Sequence, residues 1–89
     1  MIERELLVSN RLGLHARATA KLVQLLSGYR CNATLSARGR DVNAKSIMGV
    51  MLLAAGNGTP VLLRVEGEDE AAAAEAVAAL FERRFDEDE

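Results

Sequence analysis

Residues 31–43 read CNATLSARGRDVN, and this stretch predicts a β-hairpin in the middle of the chain. Small or apolar side chains alternate with polar ones over residues 31–37, which is the period of a strand with one buried face. The pair Arg38-Gly39 then suits a tight turn into a short strand over residues 40–43. The rest of the chain must extend this sheet or cover its apolar face.

Strands are predicted where apolar and polar residues alternate, and helices where apolar residues recur every three or four positions. Outside the hairpin these are strands over 2–8 and 61–66, and helices over 16–27, 47–53 and within 67–84. The order is therefore β-α-β-β-α-β-α. The simplest architecture for it is an α/β (α+β) sandwich, with the helices on the apolar face of the sheet.

The composition predicts one small domain, residues 1–89, because 49% of the side chains are hydrophobic and can form a core. The net charge of -2 argues against binding to nucleic acid. The first residues are acidic where a signal peptide is basic and then apolar. The longest apolar run is too short to cross a bilayer. We therefore expect a cytoplasmic protein without membrane insertion.

Two further expectations concern the cysteine and the last residues. Cys31 is the single cysteine, so no intrachain disulfide can form, and its alternating surroundings predict a buried thiol. One histidine and one cysteine cannot form an ordinary structural zinc site, and no metal or cofactor is expected. Residues 86–89 are predicted to form a solvated, frayed acidic tail.

The single histidine, His15, lies where a predicted loop enters the first helix. A helix start has backbone N–H groups without intrahelical partners, and these groups attract anions such as phosphate. Imidazole can accept a group and release it again. Arg17 adds a planar fork of donors, and the N–H groups of Ala16, Arg17 and Ala18 could bind phosphoryl oxygens. These residues indicate a phosphoryl acceptor; a surface histidine that caps a helix is the alternative.

Residues 10–18, NRLGLHARA, closely resemble the active-site segment of the HPr family, the histidine-containing phosphocarriers of the bacterial phosphotransferase system. Residues 44–51, AKSIMGVM, resemble the second signature of that family, and the similarity extends over essentially the whole chain. The resemblance implies an open-faced sandwich with a four-stranded antiparallel sheet and three helices on one face. It also implies a monomeric, stoichiometric carrier that is not itself an enzyme. Nδ1 of His15 would accept the phosphoryl group from phospho-enzyme I, beside Arg17, and an enzyme IIA domain would receive it.

The segment around Ser46 has both a structural and a functional interpretation. Ser46 precedes an apolar run and is a good candidate for a helix N-cap. By resemblance it is also a regulatory site for an ATP-dependent HPr kinase/phosphorylase. The apolar residues after it cannot all face the core of so short a helix, and Val50 and Leu53 are the expected core members. By resemblance, enzyme I and IIA domains would dock on a surface that comprises Lys21, Ile47, Met48, Met51 and Leu52.

Ala18 is a departure from the family pattern, since many members have proline at this position. Alanine is the best helix former, so we expect the helix start to survive. Alanine there resembles carriers of the nitrogen-related branch, and sugar uptake and nitrogen-linked regulation both stay open. The main alternative is a ferredoxin-like ligand-sensing or interaction module without phosphotransfer. A hydrolase would need a base positioned on His15, and the sequence indicates none.

Overall fold

The computed structural model describes residues 1–87. Within this range the chain forms seven regular elements and ends in a short 3-10 turn over Arg84–Asp86. The elements are β1 (Ile2–Leu7), α1 (Ala16–Ser27), β2 (Asn32–Ala37), β3 (Arg40–Asn43), α2 (Ile47–Leu52), β4 (Pro60–Glu66) and α3 (Glu70–Glu82). This is the order that the sequence predicts.

The four strands form one antiparallel sheet in the order β1-β4-β2-β3. The last strand in sequence, β4, lies inside the sheet and aligns its apolar residues with those of both neighbours: Leu63 lies opposite Leu35, and Val61 opposite Leu6. Because side chains alternate along a strand, this register collects the apolar residues on one face. The helices cover that face, so the predicted open-faced sandwich is confirmed.

The central hairpin turns at Arg38 and Gly39, whose φ angles are 50° and 79°. Two successive positive φ angles match the twist of antiparallel strands, and glycine accepts one of them without strain. The hairpin also supports α2, because Arg38 donates to the carbonyl of Ala54 (2.9 Å) and Arg40 to that of Leu52 (3.0 Å). At the end of α2 no following helical residue supplies an N–H to these carbonyls, so the arginines provide their hydrogen bonds.

The core between sheet and helices is mostly aliphatic. Leu22 and Leu26 of α1 and Val77 of α3 are fully buried. Alanines line much of the buried side of α3, so this helix can lie close to the sheet. Cys31 is 1% exposed, which confirms the predicted buried thiol. Burial, together with the nearby carboxylate of Asp69, raises the pKa of the Cys31 thiol.

The prediction of a frayed tail from residue 86 onward is wrong for its first two residues: Asp86 is exposed as predicted but ordered, and Glu87 is half-buried. After α3 the chain reverses, because Arg84, Phe85 and Asp86 all have φ between 55° and 62°. The ring of Phe85 is fully buried, 4.9 Å from that of Phe81. We call residues 83–87 the C-terminal turn. Asp88 and Glu89, the rest of the predicted tail, lie outside the described residues.

The free-energy cost of the left-handed residues explains why the C-terminal turn needs several stabilising contacts. Each left-handed residue other than glycine costs on the order of 1 kcal/mol. Burial of one phenylalanine side chain stabilises by about 1.5–3 kcal/mol, which at best balances the strain of the three residues. Further bonds add to it: Lys21 Nζ donates to the carbonyl of Phe85 (2.9 Å), and Arg83 Nε to the carboxylate of Asp86 (3.0 Å).

Candidate functional site

His15 is the N-cap residue of α1. Its backbone is extended (φ −75°, ψ −177°), and its carbonyl accepts the first intrahelical bond, from the N–H of Thr19 (2.9 Å). Nδ1 of its ring accepts a hydrogen bond from the backbone N–H of Arg17, at 3.2 Å. The side chain is 27% exposed. The ring therefore has Nδ1 at the positive end of the helix and can still be reached from solvent.

The loop before His15 is fixed by a close approach to the segment after α2. Gly13 has φ +68°, and a Cβ on it would lie 2.6 Å from the carbonyl oxygen of Ala55. The N–H of Leu14 donates to that same oxygen, at 2.9 Å. Thr19 Oγ1 donates to the carbonyl of Leu14 (3.1 Å), and both residues are buried. A residue with a side chain at position 13 would push the loop away and move His15 with it.

Asn10 is a fully buried polar residue that connects three parts of the site. Its Nδ2 donates to the carbonyl of Gly13 (2.8 Å) and to Oε1 of Glu87 (3.0 Å). Its own carbonyl accepts from Nδ2 of Asn57, at 3.1 Å. Buried polar groups are costly unless they are bonded, so this network fixes the loop and the end of the chain together.

Glu87 lies on the ring of His15, with Oε2 at 2.7 Å from Nε2. The sequence indicates no base on His15, and the structure has the carboxylate of Glu87 at hydrogen-bonding distance from its ring. Burial tends to raise the pKa of the Glu87 carboxyl. The hydrogen bonds from Asn10 and His15, with the positive charge of Arg17, outweigh burial, and the net shift of the pKa is downward. The carboxylate is thus ionised at neutral pH and accepts from two sides at once.

The sequence contains one signal that could have pointed to Glu87. Phe85 follows Phe81 at the spacing of one helical turn, although two arginines lie between α3 and this second aromatic ring. An apolar residue at that spacing predicts burial against the same face. A buried residue 85 leaves residue 87 close to the body of the protein, not in a free tail.

Arg17 and its neighbours lie where the sequence predicts them, in the first turn of α1. The side chain of Arg17 is exposed, and it is close enough to contribute to the lowered pKa of Glu87. Ala16 is exposed and Ala18 is fully buried, and Ala18 continues the helix without a break. The binding of phosphoryl oxygens by these three backbone N–H groups stays a prediction.

The short helix α2 separates a core side from an exposed side. Val50 is fully buried and Leu53 is 5% exposed, as predicted for core residues. Leu12, in the loop before His15, is also exposed, and the sequence analysis did not single it out. We use the name apolar patch for the exposed apolar side chains of α2 together with Leu12: Leu12, Ile47, Met48, Met51 and Leu52. Exposed apolar side chains grouped on one short helix are typical of a docking site.

Ser46 and Lys21 differ in how the structure places them. Ser46 is the N-cap of α2, as predicted, and its Oγ accepts from the N–H of Gly49 (3.1 Å). Lys21 was expected to add positive charge to the docking surface. Its ammonium instead bonds the C-terminal turn, at the carbonyl of Phe85 and the carboxylate of Asp86 (3.4 Å). Its predicted docking role is untested, but part of its charge is neutralised.

No helix within residues 1–87 has both the length and the apolar content needed to cross a membrane. In that part of the chain, no group of three histidine, cysteine, aspartate or glutamate side chains is arranged to bind a metal ion.

Comparisons with known proteins point in one direction. The family model described as "PTS HPr component phosphorylation site" matches residues 2–83. The phosphocarrier protein HPr of Xylella fastidiosa is 64% identical over 88 residues, which is 99% of each chain. The crystal structure of HPr-C-His from Thermoanaerobacter tengcongensis superposes with a TM-score of 0.97, at 39% identity and with both chains covered completely. An HPr dimer from the same bacterium gives 0.79 at 43% identity, covering 84% of this chain and 86% of that one.

Proposed function

Since the chain belongs to the HPr family of phosphocarriers of the phosphotransferase system, we propose that its His15 accepts a phosphoryl group from phospho-enzyme I and passes it to an enzyme IIA domain. The observation that carries the proposal is the position of Nδ1, at the N-terminus of α1 and 3.2 Å from the N–H of Arg17. Anions are favoured at such a position, and the ring can be reached from solvent.

The proposed transfer is a direct displacement at phosphorus. The lone pair of Nδ1 attacks phosphorus, and the bond between phosphorus and the donor atom of phospho-enzyme I breaks, so the donor atom keeps that electron pair. The N–H of Arg17 then has a phosphoryl oxygen within reach in place of Nδ1. The guanidinium of Arg17 and the N–H groups of Ala16 and Ala18 offset the charge of the group. Transfer to the IIA domain is the same step in reverse, with a different partner.

The apolar patch is the proposed docking surface for both partners. It is continuous along the chain with the site, because α2 leads into Ala55, whose carbonyl bonds Leu14 beside His15. Met48 is 77% exposed, and a flexible methionine can adapt to more than one partner. One surface used in turn by donor and acceptor suits a stoichiometric carrier that does no catalysis of its own. The dimeric relative notwithstanding, we propose that this chain acts as a monomer in the cytoplasm.

Ser46 is the proposed regulatory site, modified by an ATP-dependent kinase. It precedes Ile47, the first patch residue of α2, so a phosphate on its Oγ would place negative charge at the edge of the docking surface. The helix start tolerates an anion there, since phosphate is favoured near the N-terminus. Phosphorylation is therefore expected to weaken docking more than it disturbs the fold.

The decisive experiment is phosphorylation in vitro, with phosphoenolpyruvate and enzyme I, followed by mass spectrometry of the intact protein and its peptides. We expect one phosphoryl group on His15, with no labelling of His15→Gln. Glutamine has a similar size and polarity but no nucleophilic ring nitrogen, and Asn32→Gln, at an exposed position, is the matched control. Labelling of His15→Gln, or an unlabelled wild-type chain with an active donor, would contradict the proposal. A parallel reaction with ATP and a serine kinase tests Ser46.

A further inference from the structure

We propose that Glu87 is a positioning residue for phosphoryl transfer, which selects the reactive tautomer of His15 and stabilises its phosphorylated form. The inference rests on the proposed function for the second of these effects. The first effect can be observed in the unphosphorylated protein alone. The side-chain carboxylate of Glu87 meets the ring on the side opposite to the helix start, and no local motif around His15 indicates it.

The two ring nitrogens have partners that require the same tautomer. The backbone N–H of Arg17 can only donate, so Nδ1 must offer a lone pair to it. An ionised carboxylate can only accept, so Nε2 must carry the proton that bridges the 2.7 Å to Glu87. A neutral imidazole has one N–H, and both contacts are satisfied when it is on Nε2. Nδ1 is then unprotonated, as a nucleophile must be.

Glu87 is a well-placed acceptor because its own position is fixed. Its second oxygen accepts from the buried amide of Asn10, and its backbone N–H donates to the carbonyl of Arg84 (3.0 Å). The burial of Phe85 and the bond from Lys21 fix the backbone just before it. The carboxylate therefore does not have to be ordered when the partner arrives, which is the condition for effective electrostatic stabilisation.

The transfer step adds a charge that this carboxylate can balance. When Nδ1 forms its bond to phosphorus, the proton on Nε2 has no need to leave, and the ring becomes an imidazolium that bears the phosphoryl group. The positive charge is shared with Nε2, next to the carboxylate of Glu87. A nearby opposite charge shifts the equilibrium toward the positively charged ring by about tenfold or more. Glu87 should thus raise both the rate of acceptance and the yield of phosphocarrier.

The test compares Glu87→Ala with Glu82→Ala, which makes the same substitution at an exposed residue near the end of α3. Because the chain has one histidine, nitrogen-15 NMR of the ring is unambiguous. At a pH where the ring is neutral, we expect the wild type and Glu82→Ala to show one tautomer, with the proton on Nε2. Glu87→Ala should show nitrogen shifts moved toward the average of the two tautomers, because the N–H of Arg17 is then the one contact left that favours the proton on Nε2. Unchanged shifts in Glu87→Ala would overturn the proposal without bearing on whether His15 is phosphorylated.

Kinetics with phospho-enzyme I provide the second readout. For Glu87→Ala we expect kcat to fall about tenfold, with KM unchanged, because the apolar patch is intact. Glu82→Ala should behave as the wild type. A Glu87→Ala variant that is phosphorylated as fast as the wild type, or faster, would overturn the proposal, since the carboxylate would then only shield the ring from solvent. A raised KM at constant kcat would overturn it as well, in favour of a docking role.

Discussion

The residues of the site differ in how well the sequence predicts them. His15 and Arg17 could be predicted, because a helix start is determined by neighbouring residues and the motif around it is short. The contact of Glu87 with His15 could not: the spacing of Phe85 from Phe81 indicates a buried chain end, but the contact itself joins residues that are 72 positions apart. Such a contact depends on a chain reversal through three left-handed residues that are not glycine, and sequence patterns give no signal for that conformation.

Gly13 provides a residue-scale test of how the loop positions the ring. Gly13→Ala should lower the free energy of unfolding by about 2 kcal/mol or more, since a Cβ would both strain a positive φ and collide with the carbonyl of Ala55. Urea denaturation measures this change. Gly56→Ala is the control, because a Cβ there meets no atom within 4 Å. Equal stability of the two variants would show that the close approach does not constrain the loop.

At the scale of elements, short-range patterns predict the helices and strands well, and their arrangement less well. The bounds predicted for α1 and β3 are those observed, because alternation and helical spacing are local. The position of β4 between β1 and β2 does not follow from local patterns, since it depends on which strands pair with one another when the chain folds. The resemblance to a known family implied the sheet, whereas periodicity alone did not give the order of its strands.

The shortest helix, α2, allows a test of how much an N-cap contributes to stability. Six residues form few hydrogen bonds, so α2 depends on its N-cap, and Ser46→Ala should lower the free energy of unfolding by about 1 kcal/mol. Ser46→Asp should stay close to the wild type, because aspartate caps as well as serine and carries the favourable charge. Thermal denaturation compares both with Ser27→Ala, a serine at the end of α1. A Ser46→Ala variant as stable as Ser27→Ala would contradict the capping role.

At the scale of the whole molecule, ionised carboxylates connect distant segments. The backbone N–H of Arg30 lowers the pKa of Asp69, and that of Cys31 adds to the effect. The N–H of Gly67 lowers the pKa of Glu70, which also pairs with the amino group of Met1 (3.0 Å). Arg83 lowers that of Asp86. Asp69 and Glu70 thus join the loop before β2 and Met1 to the start of α3, and Asp86 and Glu87 join the C-terminal turn to α1 and its N-cap.

The expected consequence is a loss of stability in acid. A carboxyl whose pKa is lower in the folded state stabilises the fold above its unfolded pKa, and this contribution disappears as the pH falls through the folded value. The ordinary pKa is 4.5 for Glu and 3.8 for Asp, so the free energy of unfolding should be level near neutrality and decline below about pH 4.5. Urea midpoints across this range measure the decline.

The variant Asp69→Asn isolates the contribution of the Asp69 carboxylate to the loss of stability in acid. An asparagine can accept from one of the two backbone N–H groups, of Arg30 or Cys31, but its amide cannot accept from both. The variant should be less stable than the wild type at neutral pH and should lose less on acidification. Glu82→Gln, at an exposed residue of α3, is the control and should follow the wild-type curve. An Asp69→Asn curve parallel to that of the wild type would show that this carboxylate does not contribute to the acid transition.

The C-terminal turn is joined to the rest by one aromatic ring and a few hydrogen bonds, and none of these belongs to the strand ladder. It can consequently come away from α1 while the sheet stays intact, at a lower free energy than complete unfolding. The amide hydrogens of Asp86 and Glu87, bonded to the carbonyls of Arg83 and Arg84, would then exchange with solvent deuterium through this partial opening. A molecule in that state has an imidazole whose proton is kept on Nε2 only by the bond from the N–H of Arg17 to Nδ1. The exchange rate at the end of the chain would thus report how often the acceptor is out of its transfer-ready form.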